Sequence, residues 1–191
     1  MKTVPTFSSL TPCPLTGALH LPRLWLKLSL EDADQLAEGY PGMGPGYDAM
    51  TCAALGLDPE EVKGFVATLR PTYPQFVKWV QDHAKTQLTK DALYRHNIAI
   101  TAYCHDEKTR QSILAANGLP DNGSVNPGAG DLNILDDLLE VHTSLNPTPV
   151  KRAECTDAIS SRVRPVTPNK VKPAVDEQQD QLEPAGKHGD C

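Results

Sequence analysis

Residues 58–71 read DPEEVKGFVATLRP, and the fold class turns on them. Asp58 is a helix N-cap residue, Pro59 fits the first helical turn where its missing N–H costs nothing, and Glu60 and Glu61 put negative charge at the positive end of the helix dipole. Val62, Phe65, Val66 and Leu69 then fall at i, i+3, i+4 and i+7, so one face of the helix is buried. Arg70-Pro71 closes it, because a residue ahead of proline is pushed out of the helical region.

The same grammar repeats on both sides. Upstream, Pro22 opens a helix whose Leu21, Leu24, Trp25, Leu28 and Leu36 recur at helical spacing and which Gly39 ends. The stretch 39–46, GYPGMGPG, holds four glycines and two prolines and reads as an irregular loop, after which Asp48 caps a short helix through Leu55. Downstream, Pro74 opens a helix striped by Phe76, Val77, Val80 and Ala84, Thr89 caps one that runs to about Cys104, and Asp106 caps one that ends at Asn117-Gly118. A second loop, Pro120 to Gly130, leads to a last helix capped by Asp131, with Ile134, Leu135, Leu138 and Leu139 facing inward and Asn146-Pro147 as its stop. No alternating apolar run reads as a strand. The expected architecture is all-α, a compact orthogonal bundle of six to seven short helices with long glycine-rich loops.

This domain is expected over residues 1–145, followed by a disordered, proline-rich, charged tail over 146–191. From residue 147 on there are six prolines, few aliphatics and no aromatic residue, too little apolar surface to offset the entropy of ordering. Within the tail, residues 151–172 carry six bases and two acids, and residues 173–191 one base and five acids, a segregation that a protein partner could recognise.

Charge and cysteine usage exclude several classes. Residues 1–145 hold 17 acids and 11 bases, which argues against the clustered cations that nucleic-acid backbones require. No apolar run reaches the roughly 18 residues of a membrane span. Pro5, Pro12 and Pro14 break the N-terminal stretch, so it does not read as a secretory signal. The five cysteines form no CxxC pair, which fits reduced thiols and a cytoplasmic setting, with Cys52 and Cys104 as small core residues. There is no Walker loop, HExxH, GxSxG or EF-hand loop, and no histidine or carboxylate spacing makes a chelate, so neither metal nor cofactor is expected. Asp136, Asp137 and Glu140 share a face that reads as solvated.

The residues that break the apolar pattern carry the chemistry. On the helix from Thr89, Asn97 lies in the stripe of Leu93, Ile100 and Cys104, and His96 borders it beside Tyr103; on the last helix His142 follows the line of Leu135, Leu138 and Leu139. A buried Asn or His without a partner costs about 1–3 kcal/mol, so each must be bonded to backbone, to a loop or to a ligand. Arg23 and Lys27 lie one turn apart on the polar side of the first helix, with Glu31 in reach of Lys27.

In order along the chain, Gly17, Leu21-Pro22-Arg23 and Lys27, Tyr47-Asp48 and Cys52, Leu55-Gly56-Leu57-Asp58 and Glu61, Trp79, His96-Asn97, and Leu132-Asn133 with Leu135-Asp136-Asp137 form a pattern. It resembles the DUF5069 family of bacterial proteins over about residues 5–145. The resemblance implies a compact helical domain and supplies no activity; it puts Arg23, Lys27, Tyr47, Asp48, His96 and Asn97 at motif positions.

The resulting expectation is a small-molecule-binding domain, or a cofactor-independent enzyme, with a pocket between the His96-Asn97 helix and the Gly39–Gly46 loop acting as a lid. His96 and Tyr103 are the candidate catalytic residues, His96 because an imidazole titrates near neutral pH. Arg23, Tyr47, Asp48, Asn97 and His142 are the candidate ligand-binding residues, for a small polar or anionic molecule. The alternative is a regulatory or scaffold module that binds a protein through its helical body and charged tail.

Overall fold

The computed structural model describes residues 2–85 and 88–146. Among them the backbone forms seven α-helices: α1 (Leu21–Asp32), α2 (Tyr47–Leu55), α3 (Pro59–Leu69), α4 (Tyr73–His83), α5 (Lys90–Ala102), α6 (Glu107–Ala116) and α7 (Ala129–Leu145). There is no strand among the described residues, only two isolated bridges, Thr3 with Leu36 and Pro12 with Leu19. The all-α expectation holds. The tail expected over 146–191 lies, apart from Asn146, outside the described residues.

The capping residues act largely as their chemistry dictates. Asp58 accepts from Glu60 N (2.8 Å), Thr89 from Ala92 N (3.2 Å) and Asp106 from Thr109 N (2.8 Å), each satisfying an orphan donor of a first turn. Arg70, with φ of 47°, ends α3 in the left-handed region.

Two starts and one stop differ from expectation. The first helix ends at Asp32, because Asp34 turns to φ 51° and Leu36 leaves the helical stripe to pair in extended form with Thr3. Asp48 lies inside α2, with Gly46 as the cap residue, and Gly128 rather than Asp131 precedes α7.

The main core packs α1 against α3 and α4, with Leu21, Leu24 and Leu28 meeting Val62, Val66, Phe76, Val77 and Val80. Trp25 anchors its indole N–H on Pro71 O (3.0 Å) and Phe65 stacks on Trp79. Two smaller clusters continue it: Tyr47, Ile100 and Ala129 join α2, α5 and α7, and Ile113, Leu114 and Leu132 join α6 to α7. Cys52 is buried as expected, but Cys104 is exposed, because α5 ends at Ala102 and the chain turns away before it.

The last helix is rotated from its expected setting. Ala129, Gly130 and Leu132 are its buried residues, whereas Leu138 is 60% exposed and His142 is exposed on the same side. His142 therefore does not point to the core.

Candidate functional site

The site begins at the turn ahead of α1. Cys13 N donates to Ala18 O (2.8 Å) and Gly17 N to Cys13 O (2.7 Å), closing a tight loop in which Gly17 takes φ 80°. His20, the cap residue of α1, also has a positive φ of 68°. Such a backbone costs a non-glycine residue about 1–3 kcal/mol and persists only where its surroundings impose it.

Here α5 imposes it. Asn97 Oδ1 accepts from Leu19 N (2.9 Å), Asn97 Nδ2 donates to Gly17 O (2.9 Å), and His96 Nε2 donates to Leu19 O (3.1 Å). The two polar residues that break the α5 stripe thus fix the turn that presents His20.

The His20 ring is almost wholly buried, 1% exposed, and leads into a row of polar partners. Its Nε2–H donates to Asp48 Oδ1 (2.8 Å). The other oxygen of Asp48 accepts from Lys27 Nζ (2.5 Å) and from Gly44 N (2.7 Å). One buried carboxylate therefore joins α1, α2 and the glycine-rich loop. A Cβ at Gly44 would stand 3.2 Å from Asp48 Oδ2 and 3.3 Å from Pro41 Cγ, tighter than ordinary contact, so a side chain there would press on both.

Electrostatics assigns the protons. Burial alone would raise the Asp48 carboxyl, but the His20 hydrogen bond and the Lys27 ammonium outweigh it and hold Asp48 below the usual carboxylate range. Burial lowers His20 below its ordinary value, against the pull of Asp48, and the Lys27 and Arg23 charges add to the lowering. His20 is then a neutral imidazole with its proton on Nε2, and its Nδ1 has no hydrogen-bond partner among the described residues.

A second array lies one turn along α1. Arg23 Nη1 and Nη2 grip Asp137 of α7 in bidentate fashion (2.7 and 2.9 Å), and Nη1 also donates to Phe7 O (2.6 Å) and Pro5 O (3.1 Å). Tyr40 OH adds a bond to Asp137 Oδ1 (2.9 Å). Burial first, and the Asp137 charge second, push the Tyr40 phenol well above its ordinary value, so it stays a donor.

Both arrays face one cleft of about 580 Å³. The 38–46 loop, α1, the start of α2, the connector Tyr103–Asp106 and α7 line it. Within it an aromatic series runs from His20 to Tyr47 (5.4 Å between ring centres), Tyr103 (5.2 Å) and His105 (6.0 Å). His105 Nε2 donates to Asn133 Oδ1 (2.7 Å). Burial, and then Tyr103 beside it, push the Tyr47 phenol up to about 12.

No family model, no curated protein and no solved structure matches the chain.

Of the site residues expected from sequence, the structure brings Arg23, Tyr47, Asp48 and Tyr103 to the cleft. His96 and Asn97 are not among its lining residues; they stand behind the Gly17–His20 turn. His142 lies on the exposed side of α7, away from both. This cleft is bounded by the glycine-rich loop, α1 and α7 and not by the His96-Asn97 face; Asn97 lines a separate, smaller hollow with Tyr94, Ile98, Thr101 and Ala102.

Three further expectations are corrected. Arg23 and Lys27 are buried, at 5% and 7% exposure, and Lys27 pairs with Asp48 instead of Glu31. Glu31 instead accepts from Gly42 N (3.3 Å). Asp137 is an ion-pair partner within the fold and not part of a solvated face. His20 is the residue that periodicity misses, because one histidine ahead of a helix breaks no stripe, and a left-handed backbone, though commoner in histidine than in most residues, is too rare there to be read from one position.

No group of three or more histidines, cysteines or carboxylates that could hold a metal ion occurs among the described residues. No helix of theirs is long and apolar enough to cross a membrane.

Proposed function

We propose that this chain is a small-molecule-binding protein whose ligand enters the cleft between the 38–46 loop, α1 and α7, with His20 as its acid–base group. One observation carries the reading: a strained, buried histidine oriented by a carboxylate at a cleft, with its second ring nitrogen unpaired. Asp48 fixes the tautomer that leaves the Nδ1 lone pair free to accept a proton or a hydrogen bond, the arrangement that general-base chemistry uses without any cofactor. An unpaired buried acceptor costs about 1–3 kcal/mol, which a donor on the ligand would recover.

His96, the acid–base candidate by sequence, becomes a positioning residue in this reading, and Tyr103 and Tyr47 supply aromatic walls. The glycine-rich loop serves as the lid, since Gly44 and Tyr40 tie it to the two arrays.

Ligand screening by thermal shift on the full chain tests it. Hits should be lost in His20→Asn while far-UV circular dichroism stays unchanged; hits that bind this variant as well as the parent would refute the assignment.

The docking-module reading keeps one observation of its own. Leu138, Val141 and Leu145 expose apolar surface along the end of α7, beside Val4 and Pro5. Loss of protein pull-down in Leu138→Asp, with ligand hits retained, would favour it.

A further inference from the structure

Most of the polar groups left unpaired around the cleft are acceptors, and this sets the chemistry of what fills it. The Arg23 charge is matched by Asp137 and that of Lys27 by Asp48. Glu38, Asp136 and Glu140 also line the cleft, and none of them forms an ion pair among the described residues. His20, Ser9 and Tyr47 line it too, and their buried Nδ1, Oγ and phenol OH lack partners among the described residues. The three carboxylates and the neutral imidazole nitrogen only accept, and the two hydroxyls can accept as well as donate, so a ligand rich in donors complements them.

We infer that the cleft takes an organic ligand bearing an alkylammonium group, its cation drawn to the exposed carboxylates of Asp136, Glu140 and Glu38 in the cleft that Tyr47 and Tyr103 also line, and its donor hydrogens directed to His20. The inference rests on the small-molecule reading above and names its ligand class. An ammonium is drawn both to carboxylates and to the faces of aromatic rings. A metal ion fits poorly, because these acids do not converge into a chelating group. A cleft of about 580 Å³ suits an extended organic cation.

An anionic ligand, the sequence-based expectation for Arg23, would have to displace Asp137 from a bidentate pair. The state of Asp136, an exposed residue, agrees in direction with the cation: partial desolvation first, and the Asp137 charge second, raise its carboxyl.

Three probes of similar length separate the possibilities: 1,5-diaminopentane, pentane-1,5-diol and glutarate, titrated into the full chain and followed by amide NMR at Tyr40 and Gly44. The diamine should shift these signals at least tenfold more tightly than the diol, should weaken with added salt, and should lose at least tenfold in Asp136→Asn/Glu140→Gln. Glu60→Gln/Glu61→Gln on α3, outside the cleft, should leave the diamine unaffected. Diol or glutarate binding as tight as the diamine, or diamine binding unchanged in the cleft variant, would overturn the ammonium assignment while leaving the cleft as the site. Silence of both signals toward all three probes would overturn the ammonium assignment and the cleft reading together.

Discussion

Asn97 shows at the scale of one side chain how a polar residue on an apolar face is accounted for. Its amide both accepts from Leu19 and donates to Gly17, so Asn97→Leu, close in size, would leave two backbone groups of the turn unsatisfied. The expected outcome is a loss of about 1–3 kcal/mol, read as a lower urea midpoint at unchanged slope. Ligand hits should weaken too, since the turn that holds His20 in its left-handed backbone loses its brace. An unchanged midpoint would mean that the turn holds itself. His96 and Asn97 were legible because amphipathic periodicity makes a misplaced polar residue conspicuous. That reading could find the need for a partner, backbone, loop or ligand, but not which; the partner is the backbone of the Gly17–Leu19 turn. His20 left no trace, because its importance lies in a φ value and in contacts with Asp48, 28 residues away.

The helices themselves were legible wherever local chemistry decides them, as at Asp58-Pro59 or Arg70-Pro71. At α7 local chemistry does not decide. This helix of 17 residues, about 25 Å long, has more apolar positions than α5 and α6 can cover, so an equal-weight wheel cannot say which face turns inward. The buried Arg23 settles it by drawing Asp137 in, which leaves Leu138 outside. Adjacent aspartates should then respond in opposite ways. Asp137→Ala strips a buried guanidinium of its partner and removes the acceptor of Tyr40, and should cost about 3 kcal/mol. Asp136→Asn removes an exposed carboxylate that partial desolvation and Asp137 already disfavour, and should change stability by less than about 0.5 kcal/mol or raise it. Urea midpoints of the two variants against the parent check this; a costly Asp136→Asn or a neutral Asp137→Ala would refute the assigned roles.

For the molecule as a whole, burying these groups makes stability depend on pH, and the sign follows from which state holds more protons. His20 and His96 both titrate below the ordinary histidine value in the folded chain, His20 through burial opposed by Asp48, His96 through burial opposed by its bond to Leu19. The unfolded chain takes up these protons near pH 6.5, where the folded one still refuses them, so stability rises with pH in that window and falls as the pH is lowered through it. Each histidine contributes a slope of about 1.4 kcal/mol per pH unit from there down to its folded value, and the pair up to about twice that. Asp48, held below the carboxylate range, adds a loss of the same sign further down, once the pH passes the unfolded value near 3.8. Asp136, raised in the fold, has the opposite sign: it accepts its proton first in the folded chain and returns a little stability as carboxylates begin to titrate. Urea midpoints should therefore be flat between pH 7.5 and 8 and should drop progressively from about pH 6.5 downward. In His96→Gln, whose amide can still donate to Leu19 O, the slope should fall by about half, leaving the share of His20. A midpoint that stays level from pH 8 to pH 5 would mean that the two imidazoles are not held neutral in the fold, and with that the free Nδ1 of His20 would be lost as a base.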